Sequence, residues 1–168
     1  SVTGSNSEWM THFDKLDIQT KAFESSNCGL NVNWPSSVKE FHTGKPLKNI
    51  SISHGDFSIK GEAVISTYGL EGNAIYPISG QIRASVNSEE DSSIFIDFKP
   101  NSTVSELYNR IKTTKPSNYG KKLHLEASKM AIIKSSLSKE HFLDPELFVR
   151  HIKSIEIPIE SLRPVEEA

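Results

Sequence analysis

A single cysteine, Cys28, is all the chain carries, so no intrachain disulfide and no thiolate metal cluster can form. Long apolar runs are also missing. The longest, Met130-Ala131-Ile132-Ile133, falls far short of the roughly 20 residues that span a bilayer, and the polar start Ser1-Val2-Thr3-Gly4-Ser5-Asn6 lacks signal-peptide character. Neither sign of charge dominates: with 24% charged residues, a net charge of -2 and a pI near 6.3, no field draws nucleic acid or anionic lipid non-specifically. The expectation is a cytoplasmic protein that binds neither nucleic acid nor membrane.

Several chemical signatures are absent as well. The six histidines (His12, His42, His54, His124, His141 and His151) show no His-Glu-x-x-His or His-x-His spacing, so no metal site is specified. No Gly-x-Gly-x-x-Gly and no Walker motif occurs, so the chain cannot make a standard nucleotide-phosphate cradle by itself. Glu89-Glu90-Asp91 lies in a serine-bearing loop and reads as a solvated charge run. Lys112, Lys115, Lys121, Lys122, Lys129 and Lys134 fall on helical stretches without interleaved aromatics and read as a solvated face. Cys28 beside Gly29 is the pattern of a small buried thiol, with a Cys28 hydrolase as a weaker reading.

What is present is an alternation of β-rich runs with one helical block. Ile18–Phe23 and Gly29–Trp34 favour strand; Pro35 opens a short helical turn carrying Val38 and Phe41, stopped by Gly44 and Pro46. Leu47–Ser53 alternates, His54-Gly55-Asp56 turns it back into Phe57–Ile65, and the pair reads as an antiparallel hairpin. Ser93–Phe98 and Ser154–Ser161 alternate again, Pro158 suiting an edge position. Between them, Thr103 and Glu106 form a capping box ahead of the stripe Val104, Leu107, Tyr108 and Ile111. A second helix is expected from Leu123 through Leu137, and a third from Asp144-Pro145 with Leu147, Phe148 and Ile152 buried. The expected fold class is therefore α+β: a twisted antiparallel sheet or small β-barrel over residues 1–101 and 153–168, with an inserted three-helix subdomain at 102–152.

The stretch Thr67-Tyr68-Gly69-Leu70-Glu71-Gly72-Asn73-Ala74-Ile75-Tyr76 stands out, because two glycines three apart sit where strand gives way to the helical spacing of Ile75, Ile78, Ile82 and Val86. The helix is expected to begin at Asn73 or Ala74, with Pro77 in its first turn. Such a turn could aim amide groups at an anionic or carbonyl ligand, or merely let two backbones pack closely.

Five stretches, taken in order, resemble the middle portion of the BaiN-like NAD(P)/FAD-dependent oxidoreductases. They are Thr3-Gly4-Ser5 with Trp9, Asn27-Cys28-Gly29-Leu30-Asn31-Val32 with Trp34, Gly44-Lys45-Pro46-Leu47-Lys48-Asn49-Ile50, Gly61-Glu62 through Tyr76, and Leu162-Arg163-Pro164-Val165-Glu166-Glu167-Ala168. Asn6-Ser7-Glu8 departs from the family's Asp-Gly at that point. The resemblance implies an insertion domain whose flanking FAD-binding halves lie outside this chain. It implies FAD in the full-length protein, none in this piece, and the FAD-binding domain of the same polypeptide as partner. It also implies that Tyr68, Gly69, Gly72, Asn73 and Ala74 face the flavin or a small-molecule substrate; catalytic residues are not identified. The alternative is a non-enzymatic binding or interaction module in which the glycine turn is structural.

Overall fold

The computed structural model describes residues 10–21, 23–88 and 92–165. Thr3-Gly4-Ser5, Trp9, the Glu89-Glu90-Asp91 run and Glu166-Glu167-Ala168 lie outside them. The described elements are α1 (Met10–Asp14), β1 (Leu30–Asn31), α2 (Ser36–His42), β2 (Pro46–His54), β3 (Phe57–Ile65), β4 (Gly69–Glu71), α3 (Ser79–Asn87) and β5 (Ser93–Asp97). There follow α4 (Val104–Ile111), α5 (Tyr119–Lys122), α6 (Ala127–Ser136), α7 (Lys139–Leu143), α8 (Pro145–Ile152), β6 (Ile155–Pro158) and β7 (Ser161–Leu162). The fold is α+β, and no described helix is long and apolar enough to cross a membrane.

The strands form one antiparallel sheet in the order β6-β5-β2-β3-β4-β1-β7. Its two ends are consecutive pieces of one extended stretch, because only Ile159 and Glu160 separate β6 from β7. These two residues keep the ladder running: the Ile159 amide donates to the Ser92 carbonyl (2.8 Å) and the Glu160 amide to the Asn31 carbonyl (3.0 Å). One stretch thus pairs with β5 by its first half and with β1 by its second, which joins the two ends of the described sheet into a barrel. Alternating apolar side chains fill the interior, among them Ile50, Ile52, Ile65, Leu70, Ile94, Ile96, Ile155 and Ile157.

The hairpin forms as its residues dictate. Gly55, at φ +54°, and Asp56 make a two-residue turn between the paired His54 and Phe57. Asn49, at φ +51°, marks a bulge where the register shifts between Leu47 and Ile50. Phe57–Ile65 is one strand, and Gly61 inside it leaves room for Ala74, whose Cβ would touch a Cβ at Gly61 at 3.4 Å.

Four expectations are corrected. Ile18–Lys21 is not strand, Ala22 is outside the described residues, and Ile18 and Phe23 are exposed; β-propensity alone finds no partner when the barrel has closed. The turn Thr67–Tyr76 itself contains β4, hydrogen-bonded between β1 and β3, so helix begins later, with a 3-10 turn at Tyr76–Ile78 that holds Pro77, then α3. The helical block holds five described α-helices, not three. The helix expected from Leu123 starts only at Ala127, as α6, because His124 at φ +51° breaks the helical path; α5 is an additional turn ahead of it, and α7 adds another, capped by Ser138. On α8 the buried residues are Phe148, Val149 and Ile152, while Leu147 is 40% exposed, because the Asp144 cap rotates position 147 outward.

The capping box forms as expected: the Glu106 carboxylate accepts from the Thr103 amide (2.8 Å) and the Thr103 hydroxyl from the Glu106 amide (3.2 Å). Tyr119, Phe142 and Phe148 pack as an aromatic cluster, the Phe142 and Phe148 rings meeting edge to face at 5.2 Å. Two lysines tie helices to barrel. Lys153 Nζ reaches Asp97 Oδ2 (2.6 Å) and the Lys99 and Ser102 carbonyls (2.8 Å each). Lys129 Nζ, 2% exposed, donates to the carbonyl of Lys48 at the β2 bulge (2.5 Å), pairs with Glu126 (3.2 Å) and lies 5.6 Å from the Phe98 ring centre.

Candidate functional site

Three of the stretches that stand out in the sequence meet at one place in the barrel. β1 from Asn27–Trp34 lies between β4 from Thr67–Tyr76 and β7, which leads into the Leu162–Ala168 stretch, pairing Leu30 with Leu70 and Leu162. Two glycines permit the approach. A Cβ at Gly69 would lie 2.0 Å from the Leu30 carbonyl oxygen and 2.6 Å from the Val32 nitrogen. A Cβ at Gly29 would lie 2.9 Å from both Cε2 and the hydroxyl of Tyr68, so that glycine is the space the Tyr68 ring occupies.

Around Tyr68 the side chains form a polar network. Its hydroxyl donates to the Glu71 carboxylate, and the Arg163 guanidinium lies 4.4 Å above its ring centre. Arg163 Nη1 also donates to Asn31 Oδ1 (3.4 Å), Asn31 Nδ2 donates to Ser161 Oγ (2.7 Å), and the Arg163 amide donates to the Gly29 carbonyl (2.9 Å). Burial, followed by the hydrogen bond to the Glu71 carboxylate and that group's charge, pushes the Tyr68 phenol up to about 12. The phenol is therefore a neutral donor at physiological pH. Because the folded value is raised, its contribution to stability is complete below pH 10, the ordinary tyrosine value, and is lost as pH rises through about 12. The stability advantage of the native chain over Tyr68→Phe is accordingly expected to shrink between about pH 10 and 12 in urea titrations; an advantage independent of pH would contradict the Tyr68–Glu71 bond.

This network borders a cleft of about 340 Å³ whose walls include Asn31, Trp34, Thr67, Tyr68, Glu160 and Arg163. A second cleft, about 420 Å³, shares Val32, Asn33, Trp34 and Glu160 with it and continues to Ile132 and Ser136 of α6 and Ile157 of β6. Together they make one concave surface running from the barrel to the helices. The Tyr68 end of this surface is lined mainly by polar groups and the end at Ile132 and Ile157 mainly by apolar ones.

Of the residues singled out in the sequence, Tyr68 borders this surface, and Gly69 lies buried under it with its carbonyl accepting from Trp34 Nε1 (2.9 Å). Gly72, at φ +111°, and Asn73 and Ala74 follow in the next turn and do not line the cleft. Asn73 is exposed, whereas Ala74 is buried and donates its amide to Glu62 (3.0 Å). Glu71, Asn31, Trp34 and Glu160 were missed as site residues, and Arg163 was named only as part of an exit segment. Asn31, Trp34, Glu71 and Arg163 lie in stretches that stand out in the sequence, but only barrel closure brings positions 31, 68 and 163 together.

The turn's backbone is largely spent internally. The Gly69 amide donates to Ser66 Oγ (3.0 Å), its carbonyl also accepts from the Ser66 amide (2.9 Å), and the Gly72 carbonyl accepts from Ile75 and Tyr76. With its amides engaged in this way the turn is not a phosphate cradle, which needs free amides. Cys28 is fully buried and free. His54 is bracketed by the Ser93 carbonyl and Ser85 Oγ, 2.9 Å each. Among the described residues, no three His, Cys, Asp or Glu side chains are grouped to hold a metal ion.

Residues 24–168 match the family model described as HI0933-like protein barrel and H2TH domain. The chain belongs to the HI0933-like family. It is thus a domain of the HI0933/BaiN-like flavoproteins. A comparison with curated proteins gives no match. The two parts of the HI0933-like description, barrel and helical unit, correspond to the closed sheet and to the α4–α8 block between β5 and β6.

Proposed function

We propose that this chain is the insertion domain of an FAD-dependent oxidoreductase, with residues 1–101 and 153–168 forming the β-rich part and 102–152 a helical subdomain. It covers the flavin bound by the FAD-binding domain of the same polypeptide, shapes the substrate side, and is inactive alone. The observation that carries this reading is the pairing of β1 with β7: the chain enters and leaves the barrel on adjacent antiparallel strands, so the unit can be spliced into a host domain without separating the host's halves. At that same place sit Tyr68 and the cleft. Tyr68 and Asn73 present side chains to the flavin or substrate, while Gly69, Gly72 and Ala74 hold the turn beneath them. When bound, FAD supplies hydride-transfer chemistry with a nicotinamide partner, and this domain supplies position and exclusion of water. The setting is cytoplasmic.

The isolated chain is expected to purify colourless and without turnover; flavin absorbance that stays with it through gel filtration would overturn the reading. In the full polypeptide, joining residue 29 directly to 163 should leave FAD bound but raise its quenching by iodide severalfold. Unchanged quenching would favour the second reading, an interaction module that presents its helices to a partner without covering the flavin.

A further inference from the structure

The chain's net charge of -2 hides a strong segregation: residues 99–134 carry eight lysine and arginine side chains against two carboxylates. Part of that charge lines a hollow. Arg110 at the end of α4, Thr114, Asn118, Lys121 and Lys122 on α5, and His124 at the left-handed break before α6 surround an open cleft of about 640 Å³. Every lining side chain can donate a hydrogen bond and none is a carboxylate.

Both carboxylates of the segment are committed elsewhere. Glu106, one turn before Arg110, is held by the Thr103 amide at 2.8 Å, and Glu126 pairs with Lys129 at 3.2 Å. Among the described residues no carboxylate lies within ion-pair distance of Arg110, Lys121 or Lys122. The cleft is also anchored: Lys99 at the barrel's end donates to the His124 carbonyl (3.0 Å) and so fixes the turn that closes it. Burial, then the Lys129 charge, lowers the Lys99 ammonium; Arg110 adds to that and Glu126 opposes it. Glu106 exerts some Coulombic pull on Arg110, but the like charges gathered in the hollow still repel one another, and an anion there relieves that repulsion.

We infer that this cleft is a binding site for a small molecule carrying two or more linked phosphate groups, seated on Arg110, Lys121 and Lys122. Thr114 and Asn118 supply neutral donors. No Phe, Tyr or Trp lines the hollow and His124 is its one ring, so the row of stacking platforms that holds single-stranded nucleic acid is missing and the phosphates themselves are recognised. This site is separate from the Tyr68 cleft and does not depend on the flavoprotein reading.

The test is calorimetry on the 168-residue chain with two probes, inorganic pyrophosphate and ADP, together with a short DNA duplex. Pyrophosphate and ADP are expected to bind below about 1 mM and to weaken as salt is raised. Arg110→Ala with Lys121→Ala should weaken both at least about tenfold, whereas Lys112→Ala with Lys115→Ala, an equal charge change outside the cleft, should stay within about twofold. All these positions are on the helical unit's surface, and unchanged circular dichroism verifies that the variants fold. ADP tighter than pyrophosphate identifies a nucleotide as the source, and equal affinity identifies the diphosphate alone. Absence of binding at about 5 mM, equal loss in both double variants, or binding of the duplex without pyrophosphate would overturn the inference.

Discussion

Gly69→Ala is expected to cost about 4 kcal/mol, a large share of the roughly 5–15 kcal/mol that holds an ordinary domain folded. The methyl would lie 2.0 Å from the Leu30 carbonyl oxygen and 2.6 Å from the Val32 nitrogen, both backbone atoms that cannot rotate away. The backbone there, at φ +157°, is also a conformation that residues with a Cβ rarely adopt. Relief would require β1 to separate from β4, and β1 also holds β7, so one methyl group opens the barrel at its seam. In urea the transition midpoint should fall by about 2 M. Gly72→Ala is the internal comparison: its nearest neighbour is 3.5 Å away, so only the cost of φ +111° remains, about 1–2 kcal/mol. Equal losses for the two variants would show that close approach is not what Gly69 provides.

Lys129→Ala is expected to cost about 3 kcal/mol. The lysine is almost fully buried, and its removal leaves the Lys48 carbonyl at the β2 bulge without its donor and a void against Phe98. Lys129→Met, which keeps most of the volume, should recover the packing part and lose only the hydrogen bond and ion pair, about half the effect. Thermal unfolding of the two variants side by side measures the split. A Met variant as unstable as the Ala variant would mean that the ammonium, not the stem, holds α6 against the barrel.

The parts of the fold legible in the sequence are those written in local residues. The Thr103–Glu106 box, the His54–Phe57 hairpin turn and the Asp144-Pro145 start all rely on contacts within a few positions, and all form where their residues predict. Ile18–Phe23 misled because strand propensity says nothing about whether a partner is vacant. Gly69–Glu71 was hidden for the opposite reason: a three-residue strand with a glycine at its head has almost no propensity, and β1 and β3 on either side impose it. The second helix starts at Ala127, one turn after the expected Leu123, because His124, a non-glycine residue at positive φ, leaves no signal in the sequence. The candidate site was half legible. Tyr68 and its glycines sit in a recognisable stretch, whereas Trp34, Asn31 and Arg163 join them only through pairing across the barrel.

That the stretch from Ile155 to Leu162 pairs with strands on both sides of the seam bears on the order of folding. Asn31 and Ser161, hydrogen-bonded at the junction, stand 130 positions apart in sequence. Nothing can occupy the place beside β1 until the last strand has left the ribosome, so during synthesis β1 and β5 both wait as open edges. The helices between them, built from local contacts, can form in that interval and bring the two waiting edges within reach. Closure is then a single late event that removes both edges at once. A cut between Ile159 and Glu160 would undo it just as completely, turning one sealed barrel into a sheet with two adhesive borders.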